Sequence, residues 1–531
     1  MANKDKRQQE SNTLVSERIG LIMGVFTLAV LCVLPVLYDD FYFNILETKY
    51  QSYCVMAIAM MVIMVGYGLW SGSLIEYFKT FKLKKIIKSL NVADWSILIF
   101  WFVNVLSWVF CTDWRWEAFW GTSGRYNGVF LMTVYMLVYF FVTRFFTFRK
   151  WYLDAFLAVS IFVCLFGITD YFQMDLLGFK KNMLDTQKAI YTSTFGNINT
   201  YTIYVAAAMI ISTILFATEK NVKRMCWYYA ILVVSCFALI MGCSDNAYLS
   251  LAALFGLSPL YLFKTKTGTS RYLITMATLF TAILAIDRIN TAYADTVFGI
   301  DSAFNIIAEM SILPIIVIVL WVVAGGVSLY FKKNSNGSDE MCKWLSRAWI
   351  GVIVLVVGVV AFAFYDATVL GNSARYGALA PYVTFNDAWG TDRGYVWIRS
   401  LQIWSEFLTP LQKVIGYGAD TFGLLMMYYF EPRMTSMGPV IYDSAHNEYL
   451  HYLVTVGVAG MAAYISFMVS SIVIMWKHVK GRPEVAAVMF AIAAYAVQAL
   501  VNINLPVAMP IILQLLAIGL SKAPKSEIVE K

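Results

Sequence analysis

Fourteen apolar runs, each long enough to cross a bilayer, divide this chain. They fall at roughly 19–38, 53–70, 95–111, 128–148, 153–173, 200–217, 226–242, 247–263, 272–287, 310–331, 348–367, 448–476, 486–503 and 506–521. In lipid every backbone N–H and C=O must be satisfied within the segment itself, so runs of this length read as helices. With 60% of 531 residues hydrophobic and only 14% charged, the chain lacks the polar surface a soluble fold of this size needs. The expected fold class is an all-α polytopic membrane protein with about 14 transmembrane helices (range 12–14). Soluble enzymes, nucleic-acid-binding modules and disulfide-stapled secreted domains are excluded. The ninth run is the weakest because it is short, and only Asn502-Ile503-Asn504-Leu505-Pro506 separates the last two.

Charge placement orients these spans. Residues 1–18 are polar, and no small-residue cleavage site follows the first run, so they read as a cytoplasmic tail before a retained helix. In strict alternation from there, 28 of the 40 Lys and Arg residues fall on eight cytoplasmic segments, including the cluster Lys79, Lys82, Lys84, Lys85 and Lys88. The chain then divides into the tail 1–18, a membrane domain 19–367 of about 11 helices, an outer loop 368–447, C-terminal helices 448–521 and a cytoplasmic tail 522–531. The net charge of +7 therefore reports topology, with the bilayer as partner and no nucleic acid. Of the 12 basic residues left for the outer face, seven are Arg (Arg115, Arg125, Arg288, Arg375, Arg393, Arg399, Arg433), against 8 of the 28 inside. A planar guanidinium binds phosphate oxygens in pairs, whereas a lysine suffices to anchor a loop. Rim salt bridges are the plainer explanation.

The eight cysteines lie mostly inside apolar runs without a Cys-x-x-Cys or Cys/His cluster, so neither a zinc site nor a redox pair is expected. Cys111 and Cys243 both fall near the outer face, and whether they pair is left open. The outer loop 368–447 is expected to be partly helical. Trp397, Leu401, Trp404 and Leu408 recur at helical spacing while Arg399, Gln402 and Glu406 face elsewhere, a pattern for a helix lying on the membrane surface. Gly121–Gly128 and Thr194–Asn199, just ahead of the fourth and sixth runs, combine Gly with Asn and Thr. These types suit hydroxyl-rich ligands and equally suit ordinary turns.

Of three histidines, His478 reads as solvated cytoplasmic surface. His446 and His451 stand in Asp443-Ser444-Ala445-His446-Asn447-Glu448-Tyr449-Leu450-His451, at the outer start of the twelfth run. With Asp443 or Ser444 as N-cap, His446 would lie in the first helical turn, where the helix dipole keeps imidazole neutral. Neutral imidazole is what a general base needs. Five residues apart, the two histidines make a poor metal pair.

Val414-Ile415-Gly416-Tyr417-Gly418-Ala419-Asp420-Thr421-Phe422 resembles the Gly-x-Gly-x-x-x-Phe element of the O-antigen ligase family of lipid-linked glycan ligases and polymerases. His446-Asn447-Glu448-Tyr449-Leu450, followed by Gly457 and Gly460, resembles that family's His-Asn-x-x-Leu motif, and Arg393 and Trp397 match the Arg and Trp ahead of the glycine element. Gly196-Asn197-Ile198-Asn199 resembles an earlier Gly-Asn-x-Asn element. The likeness is strong over 390–460 and weaker over 120–250. Where members often carry Ser-Arg at the outer end of a middle helix, this chain has Ser244-Asp245-Asn246, so a phosphate role for an arginine there is lost or moved to Arg125.

The resemblance implies a GT-C-like glycosyltransferase of the bacterial cell membrane, active on the extracytoplasmic face. Its donor would be a glycan on a polyprenyl-diphosphate carrier, and its acceptor a hydroxyl of a glycan, lipid, cell-wall polymer or protein. It implies no cofactor and no metal. His446 would be the base, and Arg393 and Arg125 would hold the diphosphate. Asn447, Glu448, Arg375, Arg399, Gly416, Gly418, Asn197 and Asn199 would contribute to substrate binding. One-step displacement inverts the anomeric centre, and a covalent intermediate on Asp443 or Glu448 stays open. The alternatives are a Wzy-type polymerase extending lipid-linked repeat units, a lipid-linked glycan flippase, and a membrane scaffold. A flippase would call for midplane charges and internal repeats, and Asp154, Asp170 and Asp366 sit near span ends instead. A scaffold would leave the clustered motifs unexplained.

Overall fold

The computed structural model describes residues 2–300, 302–334, 339–435 and 438–522, so the expected tail beyond Lys522 lies outside the described residues. In chain order the helices are α1 (Ala2–Leu28), α2 (Ile45–Trp70), α3 (Ser73–Thr80), α4 (Leu83–Ser89), α5 (Val92–Phe110), α6 (Arg115–Trp120), α7 (Val129–Phe145), α8 (Trp151–Tyr171) and α9 (Asp185–Lys188). Next come α10 (Ile198–Thr218), α11 (Val222–Met241), α12 (Asn246–Leu257), α13 (Pro259–Leu262), α14 (Lys266–Ala292), α15 (Ala303–Ala308), α16 (Leu313–Lys333) and α17 (Glu340–Thr368). The outer loop contributes α18 (Ala380–Val383), α19 (Trp389–Gln402), α20 (Pro410–Ile415) and α21 (Phe422–Tyr429), and the chain closes with α22 (Glu448–Thr455), α23 (Gly457–Lys477), α24 (Pro483–Gln498) and α25 (Met509–Lys522). Two short antiparallel hairpins, β1 (Tyr191–Thr192) with β2 (Gly196–Asn197) and β3 (Arg433–Thr435) with β4 (Gly438–Val440), are the sheet structure among the described residues.

Among the described residues, ten helices are long and apolar enough to cross a membrane, and α7, α12–α13, α24 and α25 are apolar but shorter. Together they occupy all fourteen expected runs, and the protein is an all-α polytopic membrane protein. The ninth run becomes α14, 27 residues long. It is not short after all, and within it Thr275, Thr278 and Thr281 each donate to the carbonyl four residues back, which hides the hydroxyls. At the centre stands α10, apolar around its whole circumference and entirely buried along its apolar stretch. It packs on α8, α11, α12, α14 and α24.

Two boundaries differ from expectation. Helix α2 begins at Ile45, so Lys49 is not a loop residue; it is fully buried. After α1 a π-turn (Ala29–Val33) runs into the tight turn Leu34–Val36, which holds Pro35, and the carbonyls of Leu34 and Pro35 accept from Lys49 Nζ at 2.7 and 2.8 Å. The twelfth run splits into α22 and α23 at Val456–Gly457. Within the outer loop, α19 turns Val396, Ser400 and Ile403 inward while Leu401 is exposed, and the π-turn Ile403–Phe407 shifts the register before Leu408 is buried. The expected Trp397–Leu401–Trp404–Leu408 stripe is therefore not a single face. All eight cysteines are free, which leaves Cys111 and Cys243 unpaired.

The split at Gly457 is set by a backbone-to-backbone joint. Tyr417 N–H donates to Val454 O at 3.2 Å and Gly418 N–H to Thr455 O at 3.0 Å. Gly416 (φ +84) and Gly457 (φ +68) are left-handed, and a Cβ on either would strike the opposing main chain, at Thr455–Val456 or Val414. Gly416→Ala and Gly457→Ala are each expected to destabilise by about 1–3 kcal/mol. Gly326→Ala, in open space on α16, should not lower the melting temperature. Thermal unfolding of the three variants in detergent checks this.

Candidate active site

A cavity of about 390 Å³ opens where the start of α10, the α11–α12 turn, the start of α19 and the segment before α22 meet. Its walls are Ile198, Asn199, Cys243, Ser244, Asp245, Ser302, Thr391, Asp392, Arg393, Val396, Tyr442 and His446. The size suits a small-molecule or glycan site. Four of these residues hold left-handed backbone: Cys243 (φ +50), Thr391 (φ +60), Asp392 (φ +66) and His446 (φ +45). Such strain persists only where surrounding contacts enforce it, and it concentrates at functional sites.

Those contacts are visible. Asp392 is gripped by Arg433 at 3.1 Å and by the Tyr442 hydroxyl at 3.0 Å. Arg393, next in the chain, donates from Nη1 to Gly390 O at 2.6 Å, from Nε to Val501 O at 3.1 Å and from Nη2 to Asn246 Oδ1 at 3.4 Å. Asn246 is buried and donates to Asn199 Oδ1 at 3.0 Å, which also accepts from Ser244 Oγ at 2.8 Å. Asn502 donates to Asn199 O at 3.2 Å. Burial lowers the Arg393 pKa, and Asp245 opposes that shift.

The backbone N–H of His446 donates to Ser444 Oγ at 3.1 Å. The helix after it starts later than expected. Asn447, not Asp443 or Ser444, is the N-cap of α22, accepting from Tyr449 and Leu450 N–H at 3.0 Å each. His446 thus precedes the cap and is not in the first turn, because its left-handed φ cannot continue a helix. The ring is neutral for another reason: burial, then the nearby Arg393 and Arg125 charges, hold its pKa down to about 4 against a smaller upward pull from Asp443. Its Nδ1 is buried with no hydrogen-bond partner among the described residues.

Behind the histidine, Arg125 is buried and forked onto Asp443 through Nε (3.0 Å) and Nη2. Desolvation pushes the Asp443 carboxyl up, but Arg125 outweighs it and holds the group below the usual range. The Gly121–Gly128 loop that carries Arg125 hangs from Asp420, whose Oδ2 accepts from Thr122 N at 2.8 Å, Thr122 Oγ1 at 3.2 Å and Asn127 N at 3.1 Å. Burial lifts the Asp420 carboxyl to about 7 despite these bonds.

The cavity thus gathers His446, Arg393 and Asn199 from the sequence-predicted set. Asn197 caps α10 through Asn199 N–H at 2.8 Å. Glu448 points away, accepting from Tyr495 (2.8 Å), Tyr452 (3.2 Å) and Asn504 (3.1 Å). Gly416 and Gly418 serve the joint to α22–α23, and Arg125 stands behind the wall. Arg375 pairs with Asp366 at 3.2 Å, and Arg399 lies over Tyr395 and Phe430; neither lines the cavity.

Sequence reasoning missed Asn246 and the α24–α25 turn. The turn's Ala499, Val501 and Asn504 carbonyls accept from Glu448 N–H, Arg393 and Asn127, respectively. Two asparagines, Asn502 and Asn504, in a turn between two apolar helices were the available signal.

These features define a polytopic membrane protein with a strained cavity at one end of its bundle, lined by a neutral histidine and a half-buried arginine. Residues 297–465 match the family model described as O-antigen ligase, a stretch that holds Arg393, the glycine joint and His446. The match implies a glycan ligase or polymerase type of enzyme working on lipid-linked glycans in a membrane. No curated protein matches the chain.

The raised Asp420 pKa means the folded protein holds this proton more tightly than the unfolded chain does, so stability drains at this site as pH rises from about 4 through 7. All three donors fall on Oδ2, which an Asn carbonyl can replace. Asp420→Asn should keep the fold with a flatter melting temperature between about pH 5 and 8, whereas Asp420→Ala, leaving three donors unmet, should cost about 2–3 kcal/mol. Melting curves across that pH range distinguish the two.

Proposed function

We propose that this protein transfers a glycan from a polyprenyl-diphosphate carrier to an acceptor hydroxyl, on the extracytoplasmic face of a bacterial cell membrane. The observation that carries the reading is the pairing, on one cavity wall, of Arg393 with a neutral His446 whose Nδ1 has no hydrogen-bond partner among the described residues. The acceptor oxygen attacks the anomeric carbon as its proton passes to His446. The bond from that carbon to the diphosphate oxygen breaks, and the electron pair leaves with the carrier. Arg393, fixed by Val501, Gly390 and Asn246, faces the growing negative charge without reorganising. Arg125 acts at one remove, through Asp443 and its field on His446. Neither Asp443 nor Glu448 lines the cavity, which favours a single inverting displacement over a covalent intermediate.

A base with a pKa near 4 is neutral but weak. An arriving diphosphate brings negative charge beside a ring now depressed by Arg393 and Arg125, and so raises its basicity where it is needed. The acid limb of kcat/KM, which reports free enzyme, should therefore lie near pH 4, and the acid limb of kcat at higher pH. Coincident limbs near pH 6.5 would remove His446 from this role.

The direct test is purified protein reconstituted with a polyprenyl-diphosphate oligosaccharide and a panel of acceptors, following product and released carrier. His446→Ala should lower kcat by about 10²–10⁴. Arg393→Lys should lose most activity, because Lys cannot reproduce the fork. A glycosylated acceptor identifies a ligase and a ladder of longer lipid-linked chains a polymerase. Unaltered donor crossing the bilayer equally in wild type and His446→Ala would overturn the catalytic reading.

A further inference from the structure

At the opposite end of the bundle a groove of about 700 Å³ runs between the stretch 14–22 of α1 and the last turn of α2. The two ends of the candidate span Leu14–Val36, made of α1 and the turns after it, establish this placement. Pro35, near its far end, accepts from Thr194 at 2.7 Å, close in sequence to the Ile198–Asn199 rim of the cavity, whereas the groove starts at Leu14. The groove is apolar along Leu14, Leu21, Tyr67 and Trp70, with Arg18 and Ser71 as its polar points. Trp70 is 83% exposed. Arg18 is exposed as well.

Immediately after α2 the chain forms the α3–α4 hairpin, in which no residue is buried. The hairpin sets Lys79, Lys82, Lys84, Lys85 and Lys88 against the single acid Glu76. Beside them it exposes Tyr77, Phe78, Phe81 and Leu83, with Phe78 65% exposed. In water that much apolar surface is a liability. At a membrane interface, rings sink to the acyl boundary while ammonium groups meet phosphates, and the pairing becomes a recognition pattern.

We propose that the groove and the hairpin together form a binding site for an anionic glycerophospholipid. Its acyl chains lie along the groove's apolar wall and its phosphate meets Arg18, while the hairpin lysines engage neighbouring headgroups of the same leaflet. The charge decides among occupants. Arg18 and five lysines against two acids, Glu76 and Glu17, favour an anion, and the apolar wall favours one carrying acyl chains. The lipid-linked substrate would be drawn to the other end of the bundle, so this site holds or fails independently of the catalytic reading.

Thermal unfolding of the full chain tests the proposal in phosphatidylcholine nanodiscs, with and without phosphatidylglycerol. Phosphatidylglycerol should raise the wild-type melting temperature by several degrees over phosphatidylcholine alone. Arg18→Gln should remove at least half of that rise, Arg18→Lys should restore part of it, and replacing the five lysines with Gln should remove the salt-sensitive remainder. Native mass spectrometry of the wild type, which needs no variant to fold, should show phosphatidylglycerol retained over phosphatidylcholine. Equal stabilisation by both lipids, an unchanged rise in Arg18→Gln, the same rise with inorganic phosphate alone, or preferential retention of polyprenyl phosphate would each overturn it.

Discussion

One carboxylate oxygen, Asp420 Oδ2, draws together parts of the chain 298 and 293 residues apart, by accepting from Thr122 and Asn127. Everything at the cavity end depends on that tie. It fixes the loop that carries Arg125, and Arg125 in turn fixes Asp443, three residues before His446. On its other side Asp420 follows the glycine joint, whose main chain is bonded directly to the end of α22. A loop among the early helices and a helix near the C-terminus are thereby locked to one short segment of the outer loop. The cost is a carboxyl buried far from water, visible in its raised pKa.

The same economy explains why a histidine can hold a left-handed backbone. Ser444 accepts its N–H from one side and Asn447 caps the next helix from the other, while Glu448 is clamped among tyrosines and its own N–H is bonded to Ala499 O. Each neighbour is over-determined, so the residue between them has no relaxed alternative. In the His-Asn-Glu run the proposed base is thus followed by two structural positions.

Legibility in the sequence followed the kind of signal each feature leaves. The apolar runs were readable because lipid imposes one length and one composition on every span, and α14 shows that even a threonine-diluted run obeys when its hydroxyls bond back to the helix. The cavity's His446, Arg393 and Asn199 were readable because motif residues sit at fixed spacing. What the sequence hid was division of labour. Gly416, Gly418, Asn447 and Glu448 belong to the same motifs, yet they build the support, and spacing does not separate a wall residue from its buttress. Lys49 and Lys180 were counted on the outer face, yet both are buried, Lys49 on freed carbonyls and Lys180 with Asp170 at 3.9 Å. Asn246 and the 499–504 turn were missed because their importance lies in partners 47 to 377 residues away.

Electrostatics give the cavity its logic under the proposed reaction. An arginine that must receive a diphosphate would, if fully solvated, grip substrate and leaving group alike, gaining nothing at the transition state. Here Arg393 is desolvated and held by neutral acceptors, the Val501 and Gly390 carbonyls and the Asn246 amide, so much of its charge stays available to an anion. Asp245 and Asp392 lie on the same wall, but Asp392 is already matched by Arg433. Burial is the first cause of the neutral His446 ring, and the positive field that adds to it is the part that an anionic donor cancels. A histidine depressed by burial alone would have no such coupling, because a substrate that displaced water would depress it further. Depression by two arginines makes the base strengthen when the donor arrives, and an acceptor hydroxyl in an empty cavity meets a ring too weak to activate it. The strained turn, the buried forks and the remote carboxylate then share one purpose, holding two positive charges beside a neutral imidazole until a third partner changes the balance.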